Sequence, residues 1–141
     1  VSRRSNKVLN LVYYSSPSGM TKTFSEKVTY SPIRIPMHWD KEKPLIVSEP
    51  YLLICPTYCA GNNLNRATPP QVIKFLNIKE NRDLCQGVIG TGQANYGPIK
   101  YCLGAKQVSE KLQVPLLYQY ELLGLSEDIE EVKRLLKDRN D

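Results

Sequence analysis

The chain has 141 residues, of which 41% are hydrophobic and 23% charged, and its formal charge is +5. This size suits one domain with one sizeable core, and the composition excludes a disordered chain. No apolar run approaches the ~20 residues of a membrane span, and the basic residues are scattered without any nucleic-acid motif, so neither a membrane nor a nucleic acid is an expected partner.

The opening VSRRSNK has no signal-peptide core behind it, so residues 1–7 are expected to be a mobile extension and the location cytoplasmic. VLNLVYY (Val8–Tyr14) reads as a strand, being rich in β-branched and aromatic residues and ended by a turn-forming cluster. After Gly19, the residues Met20, Phe24 and Val28 recur at i, i+4, i+8 on one helix face. PIRIP (Pro32–Pro36) suits a short edge strand, where prolines are tolerated. Residues 37–50 read as a polar connection with little periodicity.

YLLICP (Tyr51–Pro56) is continuously apolar, as a strand covered on both faces should be. A Gly- and Asn-rich loop follows, and then Val72, Ile73, Phe75 and Leu76 make a short helical stripe behind Pro69 and Pro70. GVIGTG (Gly87–Gly92) is a strand entering a second glycine-rich loop. Tyr101, Ala105, Val108 and Leu112 form the next helical stripe, and VPLLYQYEL (Val114–Leu122) the last strand. In SEDIEEVKRLLKDR, Ser126 can cap a helix whose apolar face is Ile129, Val132, Leu135 and Leu136, and Glu130 can pair with Arg134.

Five strands alternating with helices predict an α/β fold: a parallel sheet with helices on both faces. Ligands of such sheets bind beyond the carboxyl ends of the strands. The polar loops after Tyr14, Pro56 and Ile89 all fall on that edge.

Cys55, Cys59, Cys85 and Cys102 contain no C-x-x-C pair, and three of the four sit in or beside apolar runs. They read as free buried thiols rather than a metal site. His38 is the sole histidine, which argues against a Ser-His or Cys-His catalytic pair. No side chain is assigned as acid, base or nucleophile.

The first polar loop, YYSSPSGMTK (Tyr13–Lys22), ends at a helix amino terminus, where free N–H groups and the dipole favour an anion. Ser15, Ser16, Ser18 and Thr21 add hydroxyls, and Gly19 permits close backbone approach. The pattern is not a Walker A loop. It suits a phosphate held by amides and hydroxyls, or else a serine-rich turn that only caps a helix. The second loop offers Thr57, Tyr58, Cys59, Ala60 and Gly61; the third offers Gly92, Gln93, Asn95, Tyr96 and Gly97. Singly, Tyr58 and Tyr96 read as surface aromatics. Together, beside a phosphate cradle, they can bracket a flat ring, and the combination favours flavin mononucleotide (FMN).

At these residues the chain resembles the NrdI family, flavodoxin-like proteins that assist class Ib ribonucleotide reductase. The resemblance runs from about Leu11 to the last helix, through YYSSPSGMTKTF, RIP, EPYLLICPTY, PPQVIKFLN, ENRDLCQGVIGTGQANYG and VPLLYQYELLG. It implies a flavodoxin-like three-layer fold, with one five-stranded parallel sheet in the order 2-1-3-4-5. By the same resemblance, Ser15, Ser16, Ser18, Gly19, Met20 and Thr21 form the phosphate loop. Tyr58 lies beside the flavin ring, and Asn95, Tyr96 and Gly97 form the second flavin loop. CAGNNLNRATPP departs from the run of glycines that many members carry there.

The implied activity is that of an accessory redox flavoprotein in deoxyribonucleotide synthesis. Reduced flavin, recharged by a separate reductant, reacts with O2, and superoxide or hydroperoxide passes to the radical-generating subunit. There a dimanganese centre is oxidised and a tyrosyl radical forms. A general electron-transfer flavodoxin and a cofactor-free basic binding module are the competing readings. Flavodoxins as a family are strongly acidic, whereas this chain is basic. A unit charge ~10 Å away at an effective dielectric of ~20 contributes on the order of 1 kcal/mol before salt screening, which favours a reduced, anionic flavin.

Overall fold

The computed structural model describes residues 9–58, 67–93 and 97–138. Along the chain run β1 (Asn10–Tyr13), α1 (Met20–Val28), β2 (Ile33–Arg34), β3 (Tyr51–Pro56), α2 (Pro70–Leu76) and α3 (Lys79–Asp83). They are followed by β4 (Cys85–Gly92), α4 (Leu103–Leu112), β5 (Leu116–Glu121) and α5 (Ser126–Asp138). The strands form one parallel sheet in the order β2-β1-β3-β4-β5, as the resemblance implied. Winding reverses between β1 and β3, so the crevice expected of such sheets opens at their carboxyl ends.

The period of two along each strand sorts side chains into two cores. Val12, Tyr51, Leu53, Cys55 and Val88 face α2 and α4, where they meet Val72, Phe75, Ala105 and Val108. Leu11, Tyr13, Leu52, Ile54 and Ile89 face α1 and α5, meeting Phe24, Val28, Val132, Leu135 and Leu136. The unbroken apolar run of β3 is therefore explained: odd positions fill one layer and even positions the other.

Several boundaries differ from the sequence expectations. β4 begins at Cys85, two residues before the expected Gly87, and β5 ends at Glu121 because Leu122 turns into the left-handed region at φ 53°. Tyr101 precedes α4, which starts only after Cys102 adopts φ 54°. The buried face of α1 comprises Thr21, Phe24, Ser25 and Val28; Met20 turns toward the crevice instead. Periodicity alone had not marked α3. It is short, and its one buried residue is the polar Asn81.

At the start of α5 the Asp128 carboxylate accepts from the N–H of Leu125, the residue before the helix, at 2.7 Å, and from the Tyr118 hydroxyl at 2.6 Å. Arg134 pairs with Glu131, and Lys133 with Glu130, at i, i+3 rather than across the expected Glu130–Arg134 spacing. Cys55, Cys85 and Cys102 are buried free thiols, and burial pushes all three pKa values up, Cys85 and Cys102 to about 11. Cys59 and the expected N-terminal extension lie outside the described residues. Among the described residues, no helix is long and apolar enough to cross a membrane.

Candidate functional site

The turn before α1 is held by the Gly19 N–H donating to the Ser16 carbonyl at 3.0 Å. Gly19 itself sits at φ 78°, a conformation that favours glycine, and no atom lies within 4 Å of where its Cβ would stand. The first amide of α1 with a backbone partner is that of Thr23, which donates to the Gly19 carbonyl. Among the described residues, no backbone carbonyl outside the helix accepts from Met20, Thr21 or Lys22. These are the orphan donors of a helix start. No acidic residue stands in that first turn.

The hydroxyls divide into two groups. Ser16 and Ser18 bond to each other at 2.9 Å at the surface, and both line the cavity beside the helix start, with Met20 and Thr21. Ser15 is buried, its hydroxyl donating to the Ser16 carbonyl at 3.2 Å, and it is not a wall of that cavity.

The cavity holds about 210 Å³ and runs from this loop across the ends of β3 and β4. Its further walls are Pro56, Thr57 and Tyr58, then Thr91, Gly92 and Gln93, with Lys100 and Leu122. Tyr58 is oriented twice over. Its hydroxyl donates to the Tyr14 hydroxyl at 3.1 Å, and the two rings meet edge to face at 6.1 Å. Burial, and then the bond to Tyr14, push the Tyr58 phenol upward, so it stays a neutral donor at physiological pH. The Tyr58 amide donates to the Ala67 carbonyl at 2.7 Å.

Thr57 has a structural partner as well. Its Oγ accepts from the Gly104 N–H at 2.9 Å. Cys102 provides no side-chain cap to α4, so a residue of the β3 loop caps that helix. Contact between α4 and β4 depends on small residues: a Cβ on Gly90 would come within 2.9 Å of Cys102 Cβ and 3.0 Å of Ala105 Cβ.

Of the residues expected at the site, Ser16, Ser18, Met20, Thr21, Thr57, Tyr58, Gly92 and Gln93 line this one cavity. Gly19 and Gly97 are placed in its loops at positive φ. Cys59, Ala60, Gly61, Asn95 and Tyr96 lie outside the described residues. The sequence reading passed over Pro56, Thr91, Lys100 and Leu122. Leu122 had a usable signal, because the loop after the fifth strand opens on the same sheet edge as the others.

A larger groove of about 440 Å³ lies between α2 and α4, lined by Ile73, Leu76, Val108 and Leu112 with Arg82 and Lys111. Its Arg82 guanidinium already donates to the Leu76 and Asn77 carbonyls, both at 3.0 Å. The smaller cavity, with its orphan amides, hydroxyls and aromatic wall, has the donor set of a ligand site. It fits a phosphate ester carrying a flat aromatic group: amides and hydroxyls at one end, a fixed tyrosine beyond.

A family model described as "NrdI Flavodoxin like" matches residues 12–134. Protein NrdI of Mycoplasma genitalium is 47% identical over 127 residues, covering 89% of this chain and 81% of that protein. Protein NrdI of Yersinia enterocolitica is 48% identical over 124 residues, covering 88% and 90%. Among solved structures, oxidised Flavodoxin 2 from Bacillus cereus superposes with a TM-score of 0.57 at 16% identity, over 94% of this chain and 97% of that one. At that identity the likeness concerns the fold alone.

Proposed function

The chain belongs to the NrdI flavodoxin-like family, and from this premise we propose that it binds FMN in the cavity at the carboxyl edge of its sheet. There it assists a class Ib ribonucleotide reductase in the cytoplasm. The chemistry supplied by the group when bound is electron transfer to O2, giving superoxide or hydroperoxide for the dimanganese centre of the radical-generating subunit.

The observation that carries the reading is that, among the described residues, the first-turn amides of α1 have no carbonyl partner, beside a cavity walled by Met20, Thr21 and the loops after β3 and β4. Amides of Met20, Thr21 and Lys22 point along the positive end of the helix dipole, where a phosphate is stabilised. Ser16 and Ser18 exchange their mutual hydrogen bond for bonds to the anion. No cation is needed at this end, and Lys22 is already paired with Glu26 at 2.9 Å. Tyr58, fixed by Tyr14, supplies an apolar face at a set angle with little rotamer entropy to lose.

The decisive experiment mixes the reduced protein with O2, Mn(II) and the metal-free radical subunit and records the tyrosyl radical by electron paramagnetic resonance. A radical signal that depends on this protein is expected. A yellow, FMN-bearing protein that binds the subunit tightly yet yields no radical would leave only a general electron-transfer flavodoxin.

The phosphate end has its own test, the double substitution Ser16→Ala and Ser18→Ala. Both hydroxyls are exposed and bond to each other without ligand, so the net loss is modest, about 1.4 kcal/mol or tenfold in FMN affinity. Riboflavin, which lacks the phosphate, should bind both proteins equally in a fluorescence titration. An equal loss for both ligands would show that the serines do not hold the phosphate.

A further inference from the structure

The cavity is electrostatically lopsided. At the α1 end its walls are Ser16, Ser18, Met20 and Thr21, all uncharged, and among the described residues that line it Lys100 carries the only charge. Lys100 lies in the turn between β4 and α4, whereas the phosphate loop follows β1. β3 separates β1 from β4, so the two cavity ends are about 10 Å apart at the usual strand spacing.

The backbone at Lys100 is braced. The Lys100 carbonyl accepts from Leu103 at 3.1 Å, and Tyr101 donates to the Gly97 carbonyl at 3.0 Å. The Lys106 ammonium reaches the Pro98 carbonyl at 3.5 Å in the same turn. Lys100 is half-buried and forms no ion pair among the described residues. Glu121, which acts electrostatically on Tyr101 and Cys102, is not among the described cavity walls.

We propose that Lys100 is a positioned cation at the ring end of the cavity, and that this single charge, rather than the +5 net charge of the chain, biases bound FMN toward its reduced, anionic form. The assignment rests on the FMN reading above. Its physical basis is range. Charges elsewhere on the surface are damped over a Debye length of ~8 Å at physiological salt. A cation lining the cavity acts at shorter distance and through less solvent. It gains a partner when the ring accepts electrons and none when the ring is oxidised, so it raises the affinity of the reduced form selectively.

The test measures FMN and riboflavin affinity and the two-electron potential of bound FMN, for the wild-type protein and for Lys100→Gln, Lys100→Arg and Lys100→Glu. For Lys100→Gln the ratio of reduced to oxidised FMN affinity is expected to fall about tenfold, equivalent to about 30 mV of lowered midpoint potential. Affinity for oxidised FMN and for riboflavin should stay within about twofold. Lys100→Arg restores the potential, and Lys100→Glu lowers it further than Lys100→Gln. An unchanged potential in both Lys100→Gln and Lys100→Glu overturns the assignment. So does a tenfold loss of oxidised FMN affinity with riboflavin unaffected, which would put the ammonium on the phosphate. Wild-type protein that takes up no FMN fails at the first titration; that outcome removes the flavoprotein reading itself and this assignment with it.

Discussion

Gly104→Ala is expected to lower FMN affinity roughly a hundredfold and to destabilise the protein by about 3 kcal/mol, the upper part of the range for overpacking. Gly104 lies in the first turn of α4, where an added Cβ would meet the Pro56 carbonyl oxygen at 2.6 Å and the Ala67 carbonyl oxygen at 2.8 Å. Both contacts are with backbone, so no side-chain rotation relieves them. α4 must withdraw, and the Thr57 hydroxyl then loses the Gly104 N–H that it caps at 2.9 Å. Pro56, Thr57 and Tyr58 all wall the cavity, so the strain is delivered to the wall where the ring would lie. Denaturant unfolding and flavin fluorescence titration read the two effects separately. Wild-type values in both would mean that α4 does not hold that wall in place.

Asn81→Ala should cost a similar amount, about 3 kcal/mol, but leave FMN affinity within about twofold in the folded protein. Asn81 is fully buried. Its Oδ1 accepts from the Val47 N–H at 2.8 Å, and its Nδ2 donates to the Leu45 and Phe75 carbonyls at 2.9 and 3.0 Å. Its own carbonyl accepts from the Tyr51 hydroxyl at 2.5 Å. One side chain therefore ties the connection before β3 to the end of α2, and alanine leaves one buried donor and two acceptors without it. Site and tie are far apart: Tyr51 opens β3 and Pro56 ends it at the cavity, about 17 Å along the strand. A stability loss below about 1 kcal/mol by denaturant unfolding would show that water replaces these bonds readily.

Much of this was legible in local patterns. The strand at Tyr51–Pro56 announced itself by unbroken apolarity, and the helix at Ser126–Asp138 by its stripe of Val132, Leu135 and Leu136. The turn before α1 was readable from Gly19 and the hydroxyls around it, because turn chemistry is confined to a few consecutive residues. Asn81 was not readable: a buried amide is identified by the three separate backbone groups around it, and those lie up to 36 residues away. Ser15 shows the same limit at short range, since a hydroxyl beside a ligand loop can equally turn inward and bond its neighbour.

The amino-acid order by itself determined the alternation of strands and helices and the loops at the carboxyl edge, among them an uncharged, hydroxyl-rich turn before the first helix. These rest on periods of two and 3.6 residues and on turn chemistry, all short-range properties of the chain. Only the tertiary structure decided which loops meet: that Lys100 and Leu122 join a cavity begun at Ser16, and that Thr57 caps a helix 46 residues beyond it in sequence. Strand order and the close approach of α4 at Gly104 bring them together, and neither is a property of any one segment.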